Sequence, residues 1–167
     1  PEEPRFTADN QLIRPEGYRE WIFVGASLGM TYKQDGEAPG HPTFHNVYLN
    51  PQAYQEYKKT GKFPERTILV MEVLTPATQV SINRQGQFGD RPLGVEAAVK
   101  DSSRFPETWA YFDFIQGGKK PFPGADTAKA FPKERCWACH VEHGQTDNVF
   151  TQFYPVLRRA AKAAAPK

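Results

Sequence analysis

The sequence has few cysteines, few methionines and no long hydrophobic run. Its 167 residues include only two cysteines and two methionines. No apolar run approaches the roughly 20 residues that a membrane-spanning helix needs, so no membrane span is predicted. Basic and acidic residues nearly balance, 21 against 19, and the basic ones are scattered rather than clustered. This pattern gives no indication of nucleic acid as a partner.

Proline, glycine and aromatic residues are well represented. The chain has 15 prolines and 13 glycines, and 13% of its residues are aromatic. This composition indicates a loop-rich fold whose interior is filled by rings. The length fits one domain over residues 1–167 and is sufficient to enclose a hydrophobic core.

The two cysteines lie in one motif, CWACH at residues 136–140. Cys-x-x-Cys-His is the attachment signature of c-type haem, in which both thiols bond to the haem and the histidine becomes an axial ligand of iron. A thioredoxin-like redox pair usually lies early in a chain, after a first strand, and a zinc site needs a second pair of ligands. The motif therefore predicts one haem c per chain, covalently bound through Cys136 and Cys139, with His140 on the iron.

The attachment chemistry also predicts a location. Haem is joined to this motif outside the cytoplasm, and the chain begins at Pro1 without a methionine or a signal segment. We therefore expect a bacterial periplasmic protein whose signal peptide has been removed.

Periodicity along the chain predicts a mainly antiparallel β-sheet with flanking helices, an α+β fold. Connections between the strands are too short for helical crossovers. Strands are predicted at residues 43–49, 66–75, 79–83, 93–100 and 108–115, and helices at 15–24, at 51–60 and from 146, with either a kink or a restart at Pro155. Residues 125–135 are expected to form one or two helical turns. Residues 1–14 are predicted to be an arm with little structure, and residues 159–167 a frayed basic tail.

Several stretches in order along the chain resemble the cytochrome P-460 family and its relative cytochrome c′-beta. They are YREW (18–21), VYLNP (47–51), GVEAAVKDS (94–102), WAY (109–111), CWACH (136–140), TDNVFT (146–151) and FYPVLR (153–158). The resemblance implies a homodimer of antiparallel sheet with flanking helices and a haem attached through both cysteines. It also implies a proximal histidine and an open sixth position on the iron.

The sixth position of the iron decides between two classes of function. A methionine ligand would give an electron carrier, whereas an open position admits small ligands. Only Met30 and Met71 are available, and a methionine in an apolar β-strand is more often a filler of the core. In cytochrome P-460 the strand matching Met71 carries a lysine that bonds to the haem edge. Methionine has no amine, so the resemblance implies a member without that cross-link.

Two polar residues are candidates for acid–base chemistry beside the haem. Glu96 shares a strand face with two small residues, Gly94 and Ala98, which leave space for a ligand, although alternation alone also allows a solvent-facing glutamate. The resemblance places it at the pocket glutamate of cytochrome P-460, which is thought to relay protons during hydroxylamine oxidation. His45 could be an acid–base partner or a sixth ligand, or have no role.

Three further polar residues carry weaker signals. Asp113 interrupts an aromatic strand and needs a partner or a polar cavity. His41 and His143 lie in predicted loops, where such residues are usually solvated.

These features predict a periplasmic, dimeric cytochrome with an open iron position. Its expected ligands are hydrogen peroxide, with peroxidase-like turnover, and nitric oxide, and it would need a redox partner. The first alternative is hydroxylamine oxidation as in cytochrome P-460. The second is a methionine-ligated electron carrier, with Met71 or Met30 as the ligand.

Overall fold

The computed structural model describes residues 2–30, 42–115 and 124–164. The strands are β1 (Leu12–Ile13), β2 (Ile22–Leu28), β3 (Phe44–Leu49), β4 (Ile68–Ala77), β5 (Phe88–Lys100), β6 (Trp109–Asp113) and β7 (Thr127–Ala128). The helices are α1 (Pro51–Thr60), α2 (Trp137–His143) and α3 (Pro155–Ala164), with short 3-10 helices at Tyr18–Glu20 and Thr151–Phe153.

Strands β2 to β6 form one antiparallel sheet in chain order, and β1 pairs with β7 in a second, two-stranded sheet. The predicted α+β fold with a mainly antiparallel sheet is confirmed. Register places Val47, Met71, Glu96 and Asp113 directly opposite one another across β3, β4, β5 and β6. Directly opposed residues share a face of a sheet, so these four side chains lie in one row on one side.

Each face of the large sheet packs against its own hydrophobic core. On the face that carries the Met71 and Glu96 row, helices α1 and α3 contribute Tyr57 and Leu157, both fully buried. The opposite face is covered by residues that precede β2, including Leu12. The face covered by the helices is the one on which the candidate site lies.

The stretch around Tyr18 was predicted to be a helix over residues 15–24, and this was wrong. After one 3-10 turn the chain continues as β2 and pairs with β3, with Ile22 opposite Leu49. The helical spacing of Tyr18 and Trp21 has another cause, because both side chains are buried in the core on the opposite face. Tertiary packing has overridden the local pattern.

The strand predicted over residues 79–83 is also wrong. Gln79 and Ser81 have φ angles of 55° and 56°, which an extended strand does not allow. These residues lie in the connection between β4 and β5; β4 is shifted two residues toward the C-terminus of the chain relative to the prediction, and β5 begins five residues earlier than predicted. The predicted strands at 43–49, 66–75, 93–100 and 108–115 correspond to β3, β4, β5 and β6.

Both chain ends are more ordered than predicted. Leu12 and Ile13 pair with Ala128 and Thr127, so residues 2–14 are not merely an arm. In residues 125–135, where one or two helical turns were expected, the chain forms this short strand first and a hydrogen-bonded turn only at its end, where the Arg135 NH donates to the Pro132 carbonyl at 3.0 Å. Helix α3 begins at Pro155, as predicted for a restart, but continues through residues 159–164. Residues 29–42 and 117–124, whose glycines and prolines predict loops, lie mostly outside the described residues.

Leu157 allows a direct test of how α3 contributes to stability. Its side chain is fully buried between α3 and the sheet, so Leu157→Ala is expected to lower the free energy of unfolding by about 2–5 kcal/mol. Urea unfolding followed by circular dichroism measures this change. Arg159→Ala, at an exposed position of the same helix, should change it by no more than about 0.5 kcal/mol. Equal effects of the two variants would contradict the assigned packing.

Candidate haem site

A cavity of about 290 Å³ lies between the sheet and α2. It is lined mainly by apolar and aromatic side chains, together with the two cysteines, His140, His45, Glu96 and Arg135. A larger groove of about 400 Å³ beside α1 is lined by surface residues such as Glu56 and Lys59, and no cysteine or histidine lines it. The smaller cavity is therefore the one that brings the sequence-predicted site residues together.

Helix α2 positions the CWACH motif. The backbone NH of His140 donates to the Cys136 carbonyl at 3.1 Å, which makes the motif one helical turn. Residues three and four apart lie on the same face of a helix, so Cys136, Cys139 and His140 all face the cavity. The Trp137 indole NH donates to the Glu107 carbonyl at 3.0 Å and holds the helix against the sheet. Neither cysteine is part of a disulfide.

The His140 imidazole is oriented by a hydrogen bond and by two rings. Its Nδ1 lies 2.8 Å from the backbone carbonyl oxygen of Asn148. Because a carbonyl can only accept, Nδ1 must carry the proton, which leaves the Nε2 lone pair available to a metal. The rings of Tyr111 and Phe150 each lie 4.3 Å from the imidazole, centroid to centroid. Burial lowers the pKa of His140 and so favours the neutral form that ligates metals.

The Asn148 carbonyl belongs to a tight turn, where the sequence predicted a helix start. Thr146 and Val149 exchange backbone hydrogen bonds of 3.3 and 2.9 Å, and Asp147 and Asn148 between them have φ angles of 50° and 61°. Two positive φ angles are typical of a type I′ turn, which tolerates Asp and Asn at these positions. The predicted helix start at Thr146 is therefore wrong. The Asp-Asn pair was the signal that could have revealed it.

Glu96 projects into the cavity, among apolar groups rather than into solvent. Burial, together with the negative charge of Asp113 directly across the sheet, raises the pKa of Glu96 to about 7, while the positive charge of Arg135 acts in the opposite direction. The Asp113 carboxylate itself accepts a hydrogen bond from the backbone NH of Ile115 at 2.6 Å. A carboxyl group with a pKa near neutrality can both accept and donate a proton at physiological pH.

His45 and Met71 line the same cavity from β3 and β4. His45 Nε2 lies 3.0 Å from the Thr43 hydroxyl, and burial lowers its pKa. Met30 reaches a neighbouring space of about 30 Å³, which His45 and Met71 also line. His143 is exposed, with its Nε2 3.8 Å from a Glu142 carboxylate oxygen, and does not line the cavity. His41 lies outside the described residues.

Comparison with known families agrees with this geometry. The family model described as cytochrome P-460 matches residues 15–151, most of the chain. The chain belongs to the cytochrome P-460 family. Membership indicates a haem c protein and therefore an iron-binding cytochrome. None of the curated proteins with which the chain was compared matches it. Among the helices of the described residues, none has the length and apolar character needed to span a membrane.

The residues of this cytochrome fit a haem. Two cysteine thiols and a neutral imidazole with an available Nε2 lie on one side of the cavity, and aromatic and aliphatic side chains line the remaining walls. A haem would be held by Cys136 and Cys139 and ligated by His140. Glu96 and Met71 line the same cavity.

Sequence reasoning missed several groups around the site. Tyr111 and Phe150 both contact the His140 ring, but in the sequence they stand out only within the stretches that carry the resemblance. Arg135 lines the cavity, with its guanidinium 4.1 Å from the Phe131 ring centroid. Its place directly before Cys136 was the available signal. No sequence signal could have pointed to the Asn148 carbonyl, because every residue carries a backbone carbonyl.

Proposed function

We propose that this member of the cytochrome P-460 family is a periplasmic mono-haem c protein with peroxidase-like turnover of hydrogen peroxide. In this proposal haem is covalently bound through Cys136 and Cys139, His140 is the proximal ligand, and the sixth position is open. The observation that supports it is the placement of Glu96, a largely buried carboxyl with a pKa of about 7, in the same cavity as the haem-binding motif.

The haem would supply the open coordination position and the electrons for reduction of the peroxide bond. The protein would supply the movement of protons. Glu96 as a carboxylate accepts the proton from the near oxygen of hydrogen peroxide and returns it to the far oxygen as that oxygen leaves as water. This relay needs one group that changes protonation near neutral pH, and Glu96 has that property.

Arg135 gives the cavity a positive charge as well. Its guanidinium is exposed, lines the cavity and lowers the pKa of Glu96 through its charge. A cation beside the leaving oxygen would stabilise the negative charge that develops there. His45, with a pKa lowered by burial, is a second candidate for the acid–base role.

The other parts of the proposal rest on different observations. Nitric oxide, a small neutral ligand, needs only the open iron position. The homodimer, the periplasmic location and the need for a redox partner rest on family membership and on the attachment motif. Hydroxylamine oxidation is the weaker alternative because Met71, which cannot form an amine cross-link, lies in the row beside Glu96.

An electron-carrier role for this cytochrome is favoured by one observation, the presence of Met71 in the cavity wall. If its thioether bound the iron, the ferric protein would be six-coordinate and low-spin, and it would not react with peroxide. An optical spectrum of the ferric protein distinguishes the two functions. A high-spin spectrum supports the open position, and a low-spin spectrum that Met71→Leu converts to high-spin supports the carrier.

The pH dependence of the peroxide reaction tests the relay. Below its pKa Glu96 is protonated and cannot accept a proton, so the second-order rate constant should rise with pH, with a midpoint near 7. Asp113→Asn removes a negative charge that raises this pKa, so the midpoint should move to lower pH. Stopped-flow mixing of ferric protein with peroxide from pH 5 to 9 measures the midpoint of the wild type and its shift in Asp113→Asn.

The control for this prediction is Asp90→Asn, at an exposed position, which should leave the midpoint unchanged. A rate constant that does not vary with pH would show that Glu96 is not the proton acceptor. If His45→Ala abolished the pH dependence of the rate constant, the proton acceptor would be His45 instead.

A further inference from the structure

The Asn148 carbonyl oxygen faces two donors. His140 Nδ1 lies 2.8 Å from it, and the Tyr111 hydroxyl lies 3.4 Å from it. A carbonyl oxygen has two lone pairs and can accept both bonds, but each donor withdraws electron density that the other would use. The hydrogen bond of His140 is therefore weaker with the tyrosine hydroxyl in place than without it.

Tyr111 is held firmly for this role. It lies in β6 opposite Ala98, is only 8% exposed, and its backbone carbonyl accepts the NH of Phe131 at 2.9 Å. Its ring also contacts the imidazole, with the ring centroids 4.3 Å apart. The sheet, rather than a loop, thus fixes where the hydroxyl and the ring lie.

The carbonyl itself is held from the other side of the turn. The Asp147 carboxylate accepts hydrogen bonds from the Lys100 ammonium at 2.6 Å and from the Trp109 indole NH at 3.2 Å. Lys100 and Trp109 face each other across β5 and β6. The turn that presents the carbonyl is therefore fixed to the same two strands that carry Ala98 and Tyr111.

We infer that Tyr111 is a positioning residue that sets the donor strength of His140 toward iron by sharing the Asn148 carbonyl. The inference rests on the proposed function only in that His140 ligates a haem. A hydrogen bond from Nδ1 raises the basicity of a ligating histidine, and a more basic ligand stabilises ferric over ferrous iron. By weakening that bond, Tyr111 keeps the reduction potential higher than His140 and the carbonyl alone would give.

The test is Tyr111→Phe, which keeps the ring against His140 and removes only the hydroxyl. At a fixed solution potential near the midpoint, we expect the ferric-to-ferrous ratio to rise about threefold, which is a fall in potential of about 28 mV for one electron. The iron–histidine stretching frequency of the ferrous protein, measured by resonance Raman, should rise. Tyr48→Phe removes a tyrosine hydroxyl from the opposite face of the sheet and should change neither quantity.

Asp147→Asn should shift the reduction potential and the stretching frequency in the directions opposite to those expected for Tyr111→Phe. Comparing the two variants therefore separates sharing of the Asn148 carbonyl from a general loosening of the site. It removes the charge that pairs with Lys100 and relaxes the turn, which lengthens the His140 bond, so the potential should rise and the stretching frequency should fall. Changes of the same sign in Tyr111→Phe and Asp147→Asn would overturn the inference. So would an unchanged potential and frequency in a folded Tyr111→Phe protein that retains haem.

Failure of the proposed function gives a different result. If His140 were not the ligand, the wild-type ferrous protein would show either no iron–histidine stretch or one that His140→Ala leaves unchanged. If only the peroxide chemistry were wrong, the Tyr111→Phe shifts would still appear in a protein inert to peroxide.

Discussion

Replacing Glu96 with glutamine is expected to slow the reaction of the ferric protein with hydrogen peroxide by about 10²- to 10⁴-fold. Glutamine has almost the same shape and burial as glutamate but cannot accept the first proton of peroxide. Because the row of Val47, Met71, Glu96 and Asp113 is set by strand register, the substitution should leave the cavity intact. Stopped-flow measurement of the second-order rate constant at pH 8, where wild-type Glu96 is mostly ionised, gives the largest contrast.

Glu72→Gln is the matched control for this experiment. Glu72 is a second buried glutamate on the neighbouring strand, but it lies on the opposite face of the sheet, where it accepts hydrogen bonds from the Tyr18 hydroxyl at 2.9 Å and from Arg19. Its replacement should lower the free energy of unfolding by about 1–3 kcal/mol and leave the peroxide rate constant unchanged. A loss of rate in both variants, or in neither, would remove Glu96 from the mechanism.

Replacing both cysteines, Cys136→Ala with Cys139→Ala, is expected to abolish covalent haem. With no other cysteine in the chain, no thioether can form, although the His140 imidazole would still be held by Asn148, Tyr111 and Phe150. After denaturing gel electrophoresis the wild-type band should retain haem peroxidase staining and the double variant should not. The pyridine haemochrome spectrum should change from that of haem c to that of haem b, or disappear.

Ala138→Ser, at an exposed position between the two cysteines, controls for disturbance of α2. It should retain covalent haem, because it leaves both thiols and the histidine in place. Haem that stays with the double variant through denaturation would mean a different attachment. Wild-type protein that loses its haem under the same conditions would contradict the assigned linkage.

The sequence predicted the strands that carry the site better than the segments around them. Alternation in residues 66–75 predicts that Met71 lies on one face of its strand and Glu72 on the other, and strand pairing confirms that division. The boundaries of α1 were also predicted, because proline at its first position and Gly61 at its end are local signals. The errors at residues 15–24 and 125–135 have one cause, since both segments pair with distant parts of the chain.

Other expectations have not been tested and stay predictions. They include the single domain over residues 1–167, the homodimer, the periplasmic location and the catalytic roles of Glu96 and His45. The family is the part of the functional reading that comparison confirmed.

The sequence by itself determined the cofactor class, because the CWACH motif is a local chemical signature that needs no knowledge of the fold. It also determined the family, because several stretches in order along the chain resemble it. It also determined the mainly antiparallel sheet, since alternation of apolar residues follows from the geometry of a single strand and the connections between the strands are too short for helical crossovers. Only the tertiary structure decided which face of the sheet holds the cavity and that Asp113 lies opposite Glu96. Only the tertiary structure also decided that the Asn148 carbonyl accepts hydrogen bonds from both His140 and Tyr111. These are contacts between residues far apart in the chain or made by backbone atoms, and no local pattern encodes them.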